Sequence, residues 1–224
     1  MPNTDANALL FKALQTGLEL AAARDWASIT LLEIAHTADL DLKALYALDG
    51  RAAITDALES WADQAMFTAP VDMEDTPRER LFEVIMRRFE ALEPFRPGVL
   101  SLMKARDKMP FRRAALLGAR KRSAHWALVC AGLDGTSGPE QVFNEIGLVW
   151  SLRQTELAWR RETDANFTMT MATLDEALLG LEERPDRARR FFSNAPFSQN
   201  SKSNAPRPEE PMSPSAPQAE SDPA

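Results

Sequence analysis

The chain has 224 residues, of which 45% are hydrophobic and 26% charged, the proportions of an ordinary globular protein. It contains no apolar run close to the roughly 18 residues of a membrane span, and its N-terminus lacks the basic start and apolar core of a secretory signal. The single cysteine excludes an internal disulfide, and the two histidines lie far apart, so the sequence predicts no metal site. Because there is also no Gly-rich phosphate loop and no nucleophile elbow, the sequence favours a cytoplasmic binding protein without cofactor or catalytic residues over an enzyme.

Apolar residues recur at the helical period of 3.6 along the chain, and no stretch alternates as a strand does, which predicts an all-α protein. Thr30 and Thr76 each precede a glutamate by three residues, as in a capping box, and Asp41 is a further N-cap candidate. The predicted helices cover residues 7–23, two short segments after Thr30 and Asp41, and then 51–66, 77–92, 99–108, 111–133, 140–161 and 166–183.

Composition also predicts the domain boundaries. We expect an N-terminal domain at residues 5–66 and a larger helical bundle at 76–192. Residues 193–224 hold 7 of the 15 prolines and are rich in serine. Such a segment cannot bury enough apolar surface to offset its ordering entropy, which predicts a disordered C-terminal tail.

A set of apolar and turn residues lies at family-like spacing in the N-terminal domain: Ala13, Leu18, Leu20, Trp26, Ile29, Thr30, Glu33, Ile34, Ala35, Ala38, Leu45, Tyr46 and Arg51. Over residues 9–66 this pattern resembles the DNA-binding domain of the TetR/AcrR family of regulators. The resemblance implies a TetR-like fold, in which a helix-turn-helix domain precedes a bundle for ligand binding and dimerisation. The third helix would then lie in the major groove, and the candidate DNA-contact residues are Thr30, Lys43, Tyr46 and Arg51.

The same domain is acidic. Residues 1–63 contain four basic and ten acidic residues, a net charge of −6. Because non-specific affinity for DNA comes largely from lysines and arginines that displace counterions from phosphates, this charge disfavours DNA binding.

The positive charge lies further along the chain. Residues 78–122 contain thirteen basic and five acidic residues, a net charge of +8, with apolar residues interleaved. This pattern is typical of a surface that meets an anionic membrane or an acidic partner, and equally of a solvated face whose arginine stems lie along the bundle. The candidate basic patch comprises Lys104, Arg106, Lys108, Arg112, Arg113, Arg120, Lys121 and Arg122.

A second pattern runs through the bundle, across 80–94, 100–110 and the turn at 131–137. It is clearest at Trp159, Glu162, Thr163, Phe167, Thr170, Leu174 and Asp175. It resembles the ubiquinone (coenzyme Q) biosynthesis accessory family, TetR-fold proteins that bind lipid instead of DNA. The aromatic residue, threonine and two basic residues of one stretch of that family are replaced here by Val142, Phe143, Asn144 and Glu145. The resemblance implies a polyprenyl or other apolar ligand, held near the membrane and presented to a partner enzyme. The candidate pocket residues are Met103, Leu128, Trp150, Leu157, Trp159 and Phe167.

Two functions therefore remain open. The first is a lipid-binding accessory protein related to ubiquinone biosynthesis, located in the cytoplasm or peripherally at the inner face of the membrane. The alternative is a ligand-responsive TetR/AcrR-family transcriptional regulator that binds DNA. Both predict a homodimer, formed by the helices at 140–161 and 166–183.

Overall fold

The computed structural model describes residues 4–135 and 139–193, with side chains throughout these ranges except at 4, 110–114, 139–144 and 182–193. Within them the chain is helical and contains no strand, which confirms the predicted all-α class. The α-helices are α1 Thr4–Ala23, α2 Leu31–Thr37, α3 Leu42–Ala47, α4 Gly50–Asp63, α5 Pro77–Leu92, α6 Arg96–Asp107, α7 Pro110–Cys130, α8 Pro139–Trp159 and α9 Thr168–Ser193. Short 3-10 turns lie at Trp26–Ser28, Gln64–Phe67 and Glu93–Phe95.

The predicted N-caps are confirmed. Thr30 Oγ1 accepts a hydrogen bond from the Glu33 amide at 3.2 Å, while Glu33 Oε2 accepts one from the Thr30 amide at 2.9 Å. Thr76 and Glu79 form the same reciprocal pair at the start of α5. The side chain of Asp41 caps α3. Each cap satisfies amides that have no partner within the first turn of the helix.

Several helix ends differ from the predicted ranges by a few residues, and two of the differences have a clear local cause. Pro97, expected to lie between helices, sits in the first turn of α6, where a missing N–H leaves no hydrogen bond unmade. The last helix begins at Thr168, because Phe167 has a φ of 57° and cannot continue a right-handed helix, and it extends past the predicted end at residue 183. The predicted disordered tail, apart from Ser193, lies outside the described residues.

The buried side chains of the first four helices pack together and are continuous with the core of the bundle. Leu14 and Leu18 of α1, Ile34 of α2, Leu45 of α3 and Ile54 of α4 are all fully buried. Because α2 and α3 are short, this shared core holds them more than helix propensity does. The arrangement leaves the opposite side of α3 open to solvent.

The first four helices pack directly on the bundle through α6. Gly98 of α6 lies against the backbone of Leu18 in α1. One turn further on, Ser101 Oγ accepts a hydrogen bond from the Trp26 amide at 2.8 Å. The described residues up to Arg184 form one compact unit.

The bundle core is built around Trp159 at the end of α8. Its ring packs near Phe89 of α5, and its Nε1 donates a 2.9 Å hydrogen bond to Glu93 Oε2. The Arg96 guanidinium lies 4.6 Å from the centroid of the same ring. In the part of the chain that the structure describes, no helix is long and apolar enough to cross a membrane.

Candidate nucleic-acid interface and ligand cavities

The third helix has a buried side and an open side. Leu45 is fully buried, whereas its neighbour Tyr46 is 80% exposed. Lys43 and Leu42 lie on the open side as well. We call Leu42, Lys43 and Tyr46 the outer face of α3. A turn connects α2 to α3, as in a helix-turn-helix motif. The outer face of α3 exposes an aromatic ring and an ammonium group, and side chains of this kind can enter a groove of duplex DNA.

The aspartates at the turns on either side of α3 have a local conformational role. Asp39, between α2 and α3, has a φ of 49°, and Asp49, before α4, has a φ of 65°. Among residues other than glycine, aspartate and asparagine tolerate this left-handed region best. The two acidic residues are therefore suited to shape the turns, whatever they do to the charge of the surface.

Two further acidic groups of the helix-turn-helix unit, one on each side of its turn, are engaged within the domain. Asp41 Oδ1 accepts a hydrogen bond from the Lys43 amide at 3.0 Å. Glu33 Oε1 accepts one from Arg24 Nη2 at 2.6 Å. The backbone hydrogen bond from Thr30 and the side-chain bond from Arg24 together lower the pKa of Glu33 to about 2.

The structure separates the four predicted DNA-contact residues into two groups. Lys43 and Tyr46 lie on the outer face of α3. Thr30 is exposed at the start of α2, but its hydroxyl already forms the capping box. Arg51 is half-buried and turned towards Trp26: its Nη2 donates to the Trp26 carbonyl, and its guanidinium lies 5.3 Å from the centroid of that ring. In this conformation the Arg51 guanidinium is committed within the protein.

The six predicted pocket residues do not line one cavity. Met103, Leu128 and Trp159 belong to the buried core. The space beside Met103 is a cavity of about 10 Å³, room for no more than a single water molecule. Phe167 is half-buried at the turn before α9.

The other two predicted pocket residues, Trp150 and Leu157, lie on the outside of α8. They line an open groove of about 580 Å³ between α8 and α9, which we call the α8–α9 groove. Its α9 side includes Met169, Thr173 and Gly180. The two helices approach each other closely at Gly147, where an added Cβ atom would collide with the Leu181 side chain.

The eight cations of the predicted basic patch do not all lie on the surface. Arg106 and Arg120 are inside the protein, where Arg106 Nη1 donates to Glu59 Oε1 at 2.7 Å and Arg120 Nη2 donates to Glu156 Oε2. Lys104, Lys108, Lys121 and Arg122 are exposed. The side chains of Arg112 and Arg113 lie outside the described residues.

The inward-facing arginines belong to a buried polar cluster that was not predicted from the sequence. Glu59 of α4 pairs with both Arg88 of α5 and Arg106 of α6, and Arg88 also pairs with Asp63. Ser123 of α7 accepts from Arg88 at 2.9 Å and donates to Asp63 at 2.8 Å. The sequence did contain a signal for this cluster, because its charged residues occupy positions that the helical period places towards the core.

Burial and charge act in opposite directions on Glu59. Burial alone would raise its pKa, but the charges of Arg88 and Arg106 outweigh burial and lower the pKa to about 2. The carboxylate is thus charged at neutral pH and links α4 to α5 and α6. Elsewhere in the described ranges, no three His, Cys, Asp or Glu side chains come together as metal ligands would.

These features define an all-α protein in which a helix-turn-helix unit, held by α1 and α4, is packed on a larger helical bundle. No family model and no curated protein matches the sequence. Among solved structures, the chain is similar to a TetR transcriptional regulator from Nitrosomonas europaea ATCC 19718, with a TM-score of 0.62 and 20% identity over 76% of this chain and 96% of that one. It is also similar to a TetR transcriptional regulator from Rhodococcus sp. RHA1, with a TM-score of 0.60 and 12% identity over 79% and 96%.

The chain therefore has the TetR fold, and the predicted fold class is confirmed. Neither of these structural neighbours carries the resemblance to the ubiquinone-biosynthesis accessory family, which is not confirmed.

Proposed function

We propose that this chain is a TetR-type transcriptional regulator that binds DNA as a homodimer through the outer face of α3. The observation that carries this proposal is the contrast between Leu45, fully buried, and Tyr46, 80% exposed, on a helix-turn-helix unit of the TetR fold. An uncovered tyrosine on a six-residue helix contributes nothing to the core, and it has the shape and chemistry to contact DNA.

The acidic charge of the domain predicts an unusual balance of contacts. Of the residues on the outer face of α3, only Lys43 is a cation, so few phosphates are neutralised. Leu42 and Tyr46 present apolar and aromatic atoms of the kind that pack on thymine methyl groups in the major groove. Binding would then depend weakly on salt, with a log–log slope of about −2 for the two copies of Lys43 alone.

The proposed dimer forms through α8 and α9. Large apolar side chains are uncovered on these helices, among them Ile146, Trp150, Met169 and Leu179. Ile146 and Trp150 are four residues apart and share one face of α8. Because monomeric proteins rarely leave such contiguous apolar surface open, a second copy of the chain is a suitable cover, and pairing fixes the distance between two copies of α3.

The test is selection from a random duplex library by the full-length chain at low salt. We expect a sequence to be enriched and to bind the wild type, with Tyr46→Ala weakening its binding at least about tenfold, since one good base contact is worth ~1–3 kcal/mol. Leu117→Ala, which truncates an exposed apolar residue of α7, is the matched control and should bind within about twofold of wild type.

Two outcomes overturn the proposal. One is that no duplex sequence is enriched at low salt. The other is that Tyr46→Ala binds the enriched duplex as the wild type does, which would remove α3 from the interface.

Binding of an apolar ligand is the second candidate function, and the α8–α9 groove is the observation that favours it. A groove of about 580 Å³ lies in the usual size range of small-molecule sites. Trp150, Leu157 and Met169 give it apolar surface, beside polar groups that include Arg161 and Glu176. This function would make the chain a lipid-binding accessory protein. Because the groove lies on the face proposed for pairing, lipid and dimer compete for one surface.

Mass spectrometry of an organic extract of the purified chain, with its mass in solution, separates the two functions. A stoichiometric isoprenoid or phospholipid on a monomer favours the accessory protein, and a lipid-free dimer favours the regulator.

A further inference from the structure

We propose that Met73 is a site of reversible oxidation by peroxide, at which the new sulfoxide oxygen accepts a hydrogen bond from the guanidinium of Arg80. Met73 lies on residues 68–76, which join the 3-10 turn after α4 to the start of α5, and Arg80 lies one turn into α5. We call residues 68–76 the α4–α5 connection. The proposed modification does not depend on DNA binding.

The methionine of this connection is open to an oxidant in solution. Met73 is 65% exposed, more than any other methionine in the part of the chain that the structure describes. Met66, Met86 and Met103 are buried in the core, which shields their sulfur atoms. Peroxide converts an accessible thioether directly to the sulfoxide, so Met73 is the methionine that it should reach first.

The sulfur of Met73 already contacts a buried cation. Arg80 is only 7% exposed, and its Nη1 donates to Met73 Sδ at 3.3 Å. A thioether sulfur is a weak acceptor, and Arg80 Nε is buried with no hydrogen-bond partner among the described residues. Asp75, on the same connection, interacts with the charge of Arg80 through space. The guanidinium is therefore short of good acceptors at the point where the sulfur lies.

Oxidation would supply a better acceptor there. A lone pair of Sδ attacks one oxygen of hydrogen peroxide, the O–O bond breaks and an S–O bond forms. The proton of the attacked oxygen passes to the other oxygen, which leaves as water, and the sulfur has lost two electrons. The sulfoxide oxygen carries much more negative charge than the thioether sulfur did, and a bond from a guanidinium to such an oxygen is charge-assisted.

The surroundings leave room for this oxygen. A Cβ atom at Gly132, in the turn after α7, would lie 3.1 Å from Met73 Cε and 3.3 Å from Arg80 Nη1, so the glycine lets both groups pack against the turn. Oxidation of a core methionine is disruptive because it buries a polar group. Met73 avoids this cost, because its side chain has solvent on one side and the Arg80 guanidinium on the other.

The consequence is a stronger link between the α4–α5 connection and α5. Oxidised chain should therefore resist unfolding better than reduced chain, which is the reverse of the usual effect of methionine oxidation. Methionine sulfoxide reductases return the sulfoxide to the thioether, so the link can be removed again.

The test is treatment of the full-length chain with hydrogen peroxide, followed by peptide mass spectrometry and urea unfolding. We expect Met73 to be oxidised. Oxidation of this residue should lower the unfolding equilibrium constant about tenfold, because a hydrogen bond to a charged group is stronger than one between neutral groups. The effect is the response of the wild type minus that of Met73→Leu, which cannot be oxidised at this position. Met109→Leu removes another exposed methionine and should respond as the wild type does.

Two further variants test the role of Arg80. Arg80→Gln removes the cation and should abolish the stabilisation by peroxide. Should this variant fail to fold, Met73→Gln places a carbonyl oxygen near the position of the sulfoxide oxygen, and without peroxide it should be more stable than Met73→Leu. The proposal is overturned if peroxide oxidises Met109 but not Met73, if the wild type and Met73→Leu respond alike, or if Met73→Gln is no more stable than Met73→Leu.

Discussion

Gly98 of α6 lies against the backbone carbonyl of Leu18 in α1, so closely that a Cβ atom at position 98 would overlap the carbonyl group. The contact joins the helix-turn-helix unit to the bundle through main-chain atoms, which cannot rotate out of the way as a side chain can. The position of the helix-turn-helix unit on the bundle therefore depends on the absence of one methyl group.

Gly98→Ala should destabilise the protein strongly. Overpacking a core usually costs ~1–3 kcal/mol, and the backbone on the other side of this contact makes the upper end the expected value. Gly118→Ala is the matched control, because nothing lies within 4 Å of the added methyl group on α7. Since alanine favours a helix over glycine by about 1 kcal/mol, the control should be slightly stabilising. Urea unfolding measures both changes, and equal effects would contradict the contact.

Removing the negative charge of Glu59, which links α4 to α5 and α6, should lower the free energy of unfolding. Glu59→Gln leaves Arg88 and Arg106 buried without their shared counter-ion, and breaking a buried ion pair costs ~3–5 kcal/mol. Glu90→Gln, at an exposed position of α5, is the control and should change the free energy of unfolding by less than about 0.5 kcal/mol. A loss in Glu59→Gln no larger than that of the control would contradict the importance of the buried cluster.

The same carboxylate makes stability depend on pH. Its pKa is about 2 in the folded protein against an ordinary value of 4.5, so folding favours the charged form. Its stabilising effect is complete above about pH 4.5 and is lost as the pH falls towards 2. Unfolding titrations across this range should show a weaker acid dependence in Glu59→Gln than in the wild type, and identical slopes would place the acid-sensitive group elsewhere.

Thr30 should matter more for the structure of α2 than for contact with DNA. Thr30→Ala removes the cap and should cost about 1 kcal/mol of stability, whereas Thr30→Ser retains the hydroxyl and most of the stability. Because the amide of residue 30 and the Arg24 side chain still donate to Glu33 in the alanine variant, and only the smaller contribution of the hydroxyl is lost, the pKa of Glu33 should stay well below 4.5. An NMR titration of Glu33 measures this pKa, and an ordinary value of 4.5 in the wild type would mean that the cap and the pairing with Arg24 do not form in solution.

The proposed pairing through α8 and α9 can be tested with a single charge. Trp150→Glu places a carboxylate in the uncovered apolar face of α8 and should convert the dimer to a monomer, because an unpaired charge is costly to bury. Leu117→Glu makes the same change at an exposed leucine of α7 and should leave the mass unchanged. Light scattering after size exclusion gives both masses, and a dimeric Trp150→Glu would exclude this face as the interface.

Local signals were sufficient to predict much of the fold. Thr30, Asp41 and Thr76 cap their helices through neighbours two or three residues away, so their roles can be read from a short window of sequence. Pro97 was misplaced because proline is typical both of the end of one helix and of the first turn of the next.

The exposure of the candidate site residues depends on residues far away in the sequence, and it was harder to predict than the helices. Arg106 and Arg120 share a run of cations with exposed lysines, and only Glu59 and Glu156, contributed by other helices, turn them inwards. Trp150 and Trp159 show the same problem for apolar residues, since both occupy α8 but one is exposed and the other is fully buried. Periodicity identifies a helical face without saying which surface covers it.

The left-handed turns at Asp39 and Asp49 have a consequence for how this protein could change over generations. Asparagine tolerates the same backbone conformation as aspartate, and the two amino acids are separated by one nucleotide in their codons. Two point mutations could therefore remove two negative charges beside α3 while the turns keep their shape. Substitutions at these two positions could therefore raise or lower the affinity of the protein for a polyanion without changing how the domain folds.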